Sequence, residues 1–194
     1  MTIRVLGIDP GLTRCGVGIV DVDPNRVARL VEVTVIRTPS DMPLEQRLLA
    51  VGTGIEELLD RLAPDAVSLE RVFAQQNLST VMGTAQVSGV ALYAAAKRGL
   101  AVGLHTPSEV KAAITGYGSA DKRQVQAMVA RVLGLAEVPK PADAADALAI
   151  AICHAWKRGG VSAPTGNGRT PAQDAWLAAE RAAAKPVANR RLAP

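Results

Sequence analysis

The order of the apolar segments along this 194-residue chain limits the folds that it can adopt. Segments rich in Val and Ile and broken by turn residues predict strands, and longer segments with apolar residues at helical spacing predict helices. The predicted elements are strands 3–9, 15–21 and 30–37, helix 43–62, strand 66–70, helix 78–98, strand 100–104 and helices 107–115, 122–133 and 143–156. This order predicts a mixed α/β fold in which helices cover both faces of one sheet.

The composition supports a globular protein and excludes several classes. Hydrophobic residues make up 48% of the chain and aromatic residues only 3%, so the core must be aliphatic. No apolar run reaches the roughly 18 residues that span a bilayer, and the N-terminal segment does not resemble a signal peptide. Cys15 and Cys153 form no CxxC pair, which argues against a disulfide scaffold and a zinc ribbon. We therefore expect a cytoplasmic protein.

The net charge of +4 is concentrated near the C-terminus. Seven of the 22 basic residues but only two of the 18 acidic residues follow residue 154, so the first 154 residues are close to neutral. Gly, Pro and Thr are frequent just after residue 158, as in flexible linkers. We predict a folded domain at 1–158 and a flexible, basic tail at 159–194. The total charge therefore does not by itself predict a DNA-binding face.

Several common catalytic motifs are absent from the sequence. Gly11 and Gly16 have the spacing of a P-loop, but Val17 stands where the lysine would be needed. There is no GxSxG motif, and His105 and His154 have no neighbours at metal-ligand spacing. Isolated histidines such as these are more often structural than catalytic.

Four acidic residues are the strongest candidates for chemistry. Asp9 and Glu70 each end a predicted strand, and ligands of α/β proteins bind where the carboxyl ends of neighbouring strands meet. Asp143 and Asp146 begin a predicted helix and lie on one face of it. Taken singly, they could be a turn former, an ion-pair partner and helix-capping residues. Clustered, they would repel one another unless cations or shared protons relieved the repulsion, and a site for two divalent ions is the natural resolution.

Four motifs in register resemble the RuvC family of Holliday junction resolvases. They are GIDPGLTRCG at 7–16, SLERVF at 68–73, GYGSADKRQVQ at 116–126 and PADAADALAIAICH at 141–154. The resemblance implies a ribonuclease H-like fold with a five-stranded mixed sheet flanked by helices. It also implies a homodimer that resolves four-way DNA junctions by paired nicks, in recombination and repair, and that works with a RuvA–RuvB branch-migration complex.

The resemblance also implies roles for individual residues. Asp9, Glu70, Asp143 and Asp146 would be the catalytic acids and would hold two Mg²⁺ ions, for which Mn²⁺ is expected to substitute. The products would carry a 5′-phosphate and a 3′-hydroxyl.

Further residues of the motifs are implied to contact DNA. Lys111 and Lys122 match basic positions beside the catalytic centre, although an isolated surface lysine is usually only solvated. Phe73 matches an aromatic residue that stacks on bases at the junction, although a core role is the default for an aromatic residue. Arg71 is a weaker candidate for a phosphate contact.

Three other functions compete with that of a resolvase as interpretations of the sequence. A phosphotransferase of the actin, Hsp70 and sugar-kinase type has a similar first loop, but it binds ATP between two domains and lacks the paired helical acids. A non-catalytic nucleic-acid-binding relative has no physical need to keep all four acids. A YqgF-like nuclease is disfavoured by the greater chain length and by the VFAQQN segment at 72–77.

The helix predicted at 78–98 is the candidate dimer interface. It is rich in Ala, Gly, Ser and Thr, and small residues allow two helices to approach closely. Ordinary packing of this helix on the sheet accounts equally well for its composition.

Overall fold

The computed structural model describes residues 1–71 and 78–159, with the side chains of 78–80, 158 and 159 excluded. Five strands and five helices are present in this part of the chain. In chain order they are β1 (Ile3–Asp9), β2 (Arg14–Val22), β3 (Ala28–Arg37), α1 (Leu44–Leu62), β4 (Ala66–Glu70), α2 (Leu78–Lys97), β5 (Ala101–His105), α3 (Pro107–Thr115), α4 (Lys122–Val132) and α5 (Ala142–Gly159). The predicted element order is confirmed. The predicted flexible tail, residues 159–194, lies outside the described residues except for Gly159.

The strands form one mixed sheet in the order β3-β2-β1-β4-β5. β1 pairs with β2, and β2 with β3, in antiparallel register, whereas β4 is parallel to β1 and β5 is parallel to β4. Because β1 and β4 are parallel neighbours, Asp9 and Glu70 end at the same edge of the sheet.

Successive side chains of each strand point to opposite faces of the sheet, and each face has its own hydrophobic core. Leu6 and Ile8 of β1 pack with α1 and α2, whereas Val5 packs with α3, α4 and α5. Val67 and Leu69 of β4 likewise join the first core. The alternate residues of these two strands, including Asp9 and Glu70, therefore lie on the face that α5 covers.

A row of small residues lets α5 pack unusually close to the sheet. Gly18, Gly7, Ser68 and Gly103 are in register across four neighbouring strands. A Cβ atom added to Gly7 would lie 2.6 Å from the backbone nitrogen of Ala151, and one added to Gly18 would lie 2.8 Å from that of Leu148. Since real Cβ atoms do not approach backbone so closely, larger side chains in this row would push the helix away.

Two of the shorter helices begin with reciprocal capping interactions. Thr106 and Glu109 form a capping box at the start of α3, and Asp121 and Gln124 form one at the start of α4. Such caps satisfy backbone N–H groups of the first helical turn and define where each helix starts. The residue that follows the second cap is Lys122, so the cap also places this lysine.

Among the described helices, none is long and apolar enough to cross a membrane.

Candidate active site

Asp9 and Glu70 lie at the carboxyl ends of adjacent parallel strands and on the same face of the sheet. Asp9 follows Val5 and Gly7 at two-residue intervals, and Glu70 follows Ser68 in the same way. The Ser68 hydroxyl donates a hydrogen bond to the backbone carbonyl of Ile150 in α5, which identifies the face that these alternate residues share. Both acidic side chains are partly buried.

The N-terminus of α5 brings Asp143 and Asp146 to this edge. Gly16 is the β2 partner of Asp9, and a Cβ atom added to Gly16 would lie 2.8 Å from the backbone carbonyl carbon of Asp143. The start of the helix therefore rests directly on the strand beside Asp9. Asp143 and Asp146 keep only 19% and 23% of their side-chain surface exposed. The four predicted acids therefore lie at one edge of the sheet, near enough for the charges of Asp146, Glu70 and Asp143 to act on Asp9.

The electrostatics of Asp9 reflect this convergence. Burial and the nearby charges of Asp146, Glu70 and Asp143 raise the pKa of Asp9 from 3.8 to about 7. Burial and the charge of Asp146 also raise the pKa of Glu70, while Lys122 and Lys111 oppose that rise. Burial and the neighbouring carboxylates both disfavour a negative charge on Asp9 and Glu70. A cation beside these groups would relieve the repulsion, so the cluster attracts cations.

Two basic side chains already pair with the helical aspartates. Lys122 Nζ lies 2.7 Å from Asp146 Oδ2, and this hydrogen bond raises the pKa of the lysine. Arg14 Nε, on β2, lies 3.1 Å from Asp143 Oδ2. In the part of the chain that the structure describes, no three His, Cys, Asp or Glu side chains already meet in a group that could hold a metal ion. The aspartates are instead neutralised by side chains.

The predicted DNA-contacting residues fall into three groups. Lys111 and Lys122 line a cavity of about 250 Å³ together with Glu70 and Asp146, so both lysines are beside the acids.

Arg71 is exposed directly after β4, and its backbone N–H donates to the carbonyl of His105 at 2.7 Å. Phe73 lies outside the described residues.

The two histidines contact each other. His105 Nε2 and His154 Nδ1 are 2.9 Å apart, and both side chains are buried. Burial, with a smaller effect of the Lys157 charge, lowers the pKa of His105. This pair joins β5 to α5, which agrees with the structural role predicted for the histidines.

Sequence reasoning missed the residues that support the acids. The glycines Gly7, Gly16 and Gly18 allow the close approach of α5, and Arg14 pairs with Asp143. A sequence signal for the glycines was present, because Gly16 and Gly18 lie two residues apart in one predicted strand and Gly7 lies within another, and glycine is otherwise unfavourable inside strands. The partner of Arg14 could not be read from the sequence, since 129 positions separate the two residues.

The comparisons with known proteins address the chain as a whole. A family model described as crossover junction endodeoxyribonuclease RuvC matches residues 5–154. A crossover junction endodeoxyribonuclease RuvC of Leifsonia xyli subsp. xyli is 72% identical, with all of both chains covered. The chain belongs to the RuvC family. It is accordingly an endodeoxyribonuclease, a hydrolase that resolves Holliday junctions.

Other RuvC proteins and solved structures agree with this assignment. The RuvC of Paenarthrobacter aurescens is 58% identical over 93% of this chain and 96% of its own. Thermus thermophilus RuvC, solved in complex with a Holliday junction substrate, is 37% identical with a TM-score of 0.77, covering 81% of this chain and 95% of that one.

A more distant structure adds support for the fold alone. A yeast mitochondrial Holliday junction resolvase is 15% identical with a TM-score of 0.56, covering 80% of each chain. The ribonuclease H-like fold and the resemblance to the RuvC family are confirmed. The resolvase interpretation is favoured over the phosphotransferase, the non-catalytic relative and the YqgF-like nuclease.

Proposed function

We propose that Asp9, Glu70, Asp143 and Asp146 are the catalytic acids with which this RuvC protein cuts four-way DNA junctions. The observation that carries the proposal is that the parallel strands β1 and β4 and the start of α5, which rests on Gly16, bring the four acids to one edge of the sheet. Burial and the charges of the three other acids accordingly raise the pKa of Asp9 to about 7. Four carboxylates from three separate elements, held together against their mutual repulsion, need a positively charged partner.

The donor set suits two Mg²⁺ ions, with Mn²⁺ as a substitute. Carboxylate oxygens are the protein ligands that Mg²⁺ prefers, and it commonly combines a few of them with water and substrate phosphate. Bound Mg²⁺ would supply an activated water nucleophile and neutralise the charge that develops on the phosphate, giving 5′-phosphate and 3′-hydroxyl ends. The four carboxylates would hold the ions at one edge of the sheet.

Lys122 and Lys111 neutralise negative charge at the same edge. Lys122 pairs with Asp146, and both lysines lower the pKa of Glu70. When the DNA backbone enters the site, these ammonium groups are placed to contact its phosphates as point charges. Arg71 follows Glu70 directly and is exposed for a further contact, and Phe73 is proposed to stack on bases at the junction.

The homodimer is proposed to form through α2 and the neighbouring part of α1. Val87, Ala91, Ala94 and Ala95 of α2 pack into the core beneath the sheet, so one face of this helix is already used. Other apolar side chains of the two helices are exposed: Leu49, Met82, Leu92 and Tyr93. A second copy of the chain would cover them and would supply the second active site that paired nicks require. A RuvA–RuvB complex is a further proposed partner.

A synthetic mobile four-way junction tests the proposal. Wild-type protein should make paired nicks at the junction with Mg²⁺ or Mn²⁺, none without a divalent metal, and none on a linear duplex. Asp9→Asn, Glu70→Gln, Asp143→Asn and Asp146→Asn should each reduce cleavage by at least about a hundredfold because each removes a charged ligand of the metal site. Junction binding should be largely retained.

The matched control is Glu57→Gln, which removes an exposed carboxylate from α1 on the opposite face of the sheet. It should cleave like wild type. If all four site variants lost binding in parallel with cleavage, the acids would serve the fold and the proposal would fail.

A further inference from the structure

A second cavity is lined by Asp143 and is separate from the one that Lys122 and Asp146 line. It has a volume of about 350 Å³ and is formed by the turn between β1 and β2, the first turn of α1 and part of α2. Arg14, Arg47, Thr13, Thr84 and Asp143 supply its polar lining. The cavity therefore adjoins the acids and carries two guanidinium groups.

Arg47 is held in a fixed orientation by hydroxyl groups. Its Nε donates to Thr38 Oγ1 at 2.9 Å, and its Nη2 donates to Thr13 Oγ1 at 2.8 Å. Thr38 is only 3% exposed, and its hydroxyl donates in turn to the backbone carbonyl of Leu12 at 2.5 Å. Because the Thr38 hydroxyl is itself bonded to the backbone and Thr13 binds a second nitrogen, the guanidinium group is preorganised at the cavity wall.

Among the described residues, no carboxylate neutralises the positive charge of Arg47. Arg4, Arg61 and Arg98 each form a two-point ion pair with an acid. Among the residues that the structure describes, Arg47 has no such partner within 4.0 Å, since threonine hydroxyls are neutral. A partly buried guanidinium group with only neutral partners favours an anion beside it.

Arg14 links this cavity to the catalytic acids. Its side chain is 56% exposed and forms an ion pair with Asp143. Arg14 therefore lines the same cavity as Arg47 and also contacts one of the acids. An anion in the cavity would face both guanidinium groups while remaining next to the site where the acids lie.

We propose that this cavity binds one backbone phosphate of the cleaved DNA strand, beside the phosphate that is cut. Arg47 is the fixed cation, and Arg14 turns from Asp143 toward the phosphate when the strand is bound. The inference rests on the proposed function, because it takes the acids as the place of cleavage. Arg47 is thus a positioning residue that sets which phosphodiester bond reaches the acids.

Neutral phosphate analogues identify the contact directly. Junctions are prepared in which each phosphate near the cleaved bond is replaced, one at a time, by an uncharged methylphosphonate, and binding is measured without divalent metal so that nothing is cut. Wild-type protein should lose affinity about tenfold at one position next to the cleaved bond, the usual effect of a lost charge-assisted hydrogen bond. Arg47→Gln should bind the unmodified junction about tenfold more weakly and be insensitive to that replacement.

Two further variants make the result decisive. Arg29→Gln removes an exposed guanidinium group from the opposite end of β3 and should respond to each replacement as wild type does. Arg14→Gln changes an exposed side chain and should reduce the sensitivity at the same phosphate, so it carries the test if Arg47→Gln does not fold. If neither variant altered the sensitivity at any phosphate, the inference would be overturned. Cleavage of unmodified junctions by wild-type protein, and its loss in the acid variants, would still support the proposed function.

Discussion

Asp9 illustrates how position alone changes the chemistry of a single residue. In the unfolded chain its carboxyl group titrates near 3.8, whereas burial and three neighbouring acids raise its pKa to about 7 in the folded protein. Between these values the folded state binds more protons than the unfolded state, so the stability of the metal-free protein falls as pH rises. The acids therefore cost folding free energy in order to create a site that attracts cations.

This linkage predicts the effect of Asp9→Asn on stability. The substitution removes the titrating group, so the free energy of unfolding of the variant should rise relative to wild type as the pH increases from about 4 to about 7. A shift of this size is worth at most about 4 kcal/mol. Urea unfolding in the presence of EDTA at pH 5 and pH 8 measures the change.

The control for this experiment is again Glu57→Gln. Its difference in stability from wild type should be independent of pH because Glu57 is remote from the cluster. If the difference in the free energy of unfolding between Asp9→Asn and wild type did not change with pH, the result would contradict the charge repulsion described above.

At the scale of an element, the packing of α5 on the sheet decides whether a site forms. Gly16→Ala would place a methyl group against the Asp143 backbone, at the point where the helix starts. Overpacking of this kind costs about 1–3 kcal/mol and displaces the helix. We expect a lower melting temperature and a loss of junction cleavage, measured by thermal unfolding and by the nicking assay.

Glu57→Ala provides the comparison for this prediction. Glu57 is exposed on α1, on the other face of the sheet from α5, and Ala is the most favourable residue inside a helix. This variant should be about as stable as wild type. Equal melting temperatures for wild type and Gly16→Ala would show that α5 is not constrained by the strand beneath it.

At the scale of the whole molecule, the symmetry of the substrate requires two active sites. Tyr93 is 69% exposed on α2 and belongs to the proposed dimer surface. Tyr93→Glu would bury a charge in that surface, so we expect a shift from dimer to monomer in sedimentation velocity. The monomer should bind a junction more weakly, and the nicks that it makes should no longer be paired.

Val27→Glu provides the comparison, since Val27 is also an exposed apolar residue but lies in the turn between β2 and β3. It should sediment as wild type does. If Tyr93→Glu kept the mass of wild type and still made paired nicks, the proposed dimer surface would be wrong.

The local pattern of the sequence predicted the elements well. β1, β4 and α3 begin and end at the predicted residues, while the ends of the other elements differ from the prediction by one to three residues: β3 and α5, for example, are longer, and α1 and α4 are one residue shorter. Apolar spacing specifies the type of an element, but the ends of strands and helices also depend on neighbours, as when β3 continues to Ala28 opposite Val22. The resemblance to a family, not periodicity, singled out the four acids together.

Local patterns in the chain specify the order of the elements and the alternation of faces along each strand, because alternation and helical spacing depend only on residues a few positions apart. They also place Asp9 and Glu70 at strand ends, but the parallel pairing of β1 with β4 brings the two to one edge. Three-dimensional packing likewise determines that Gly16 admits the start of α5, that Arg14 and Lys122 pair with Asp143 and Asp146, and that Arg47 lines the adjoining cavity. These contacts join residues far apart in the chain, and they depend on packing distances that no local pattern contains.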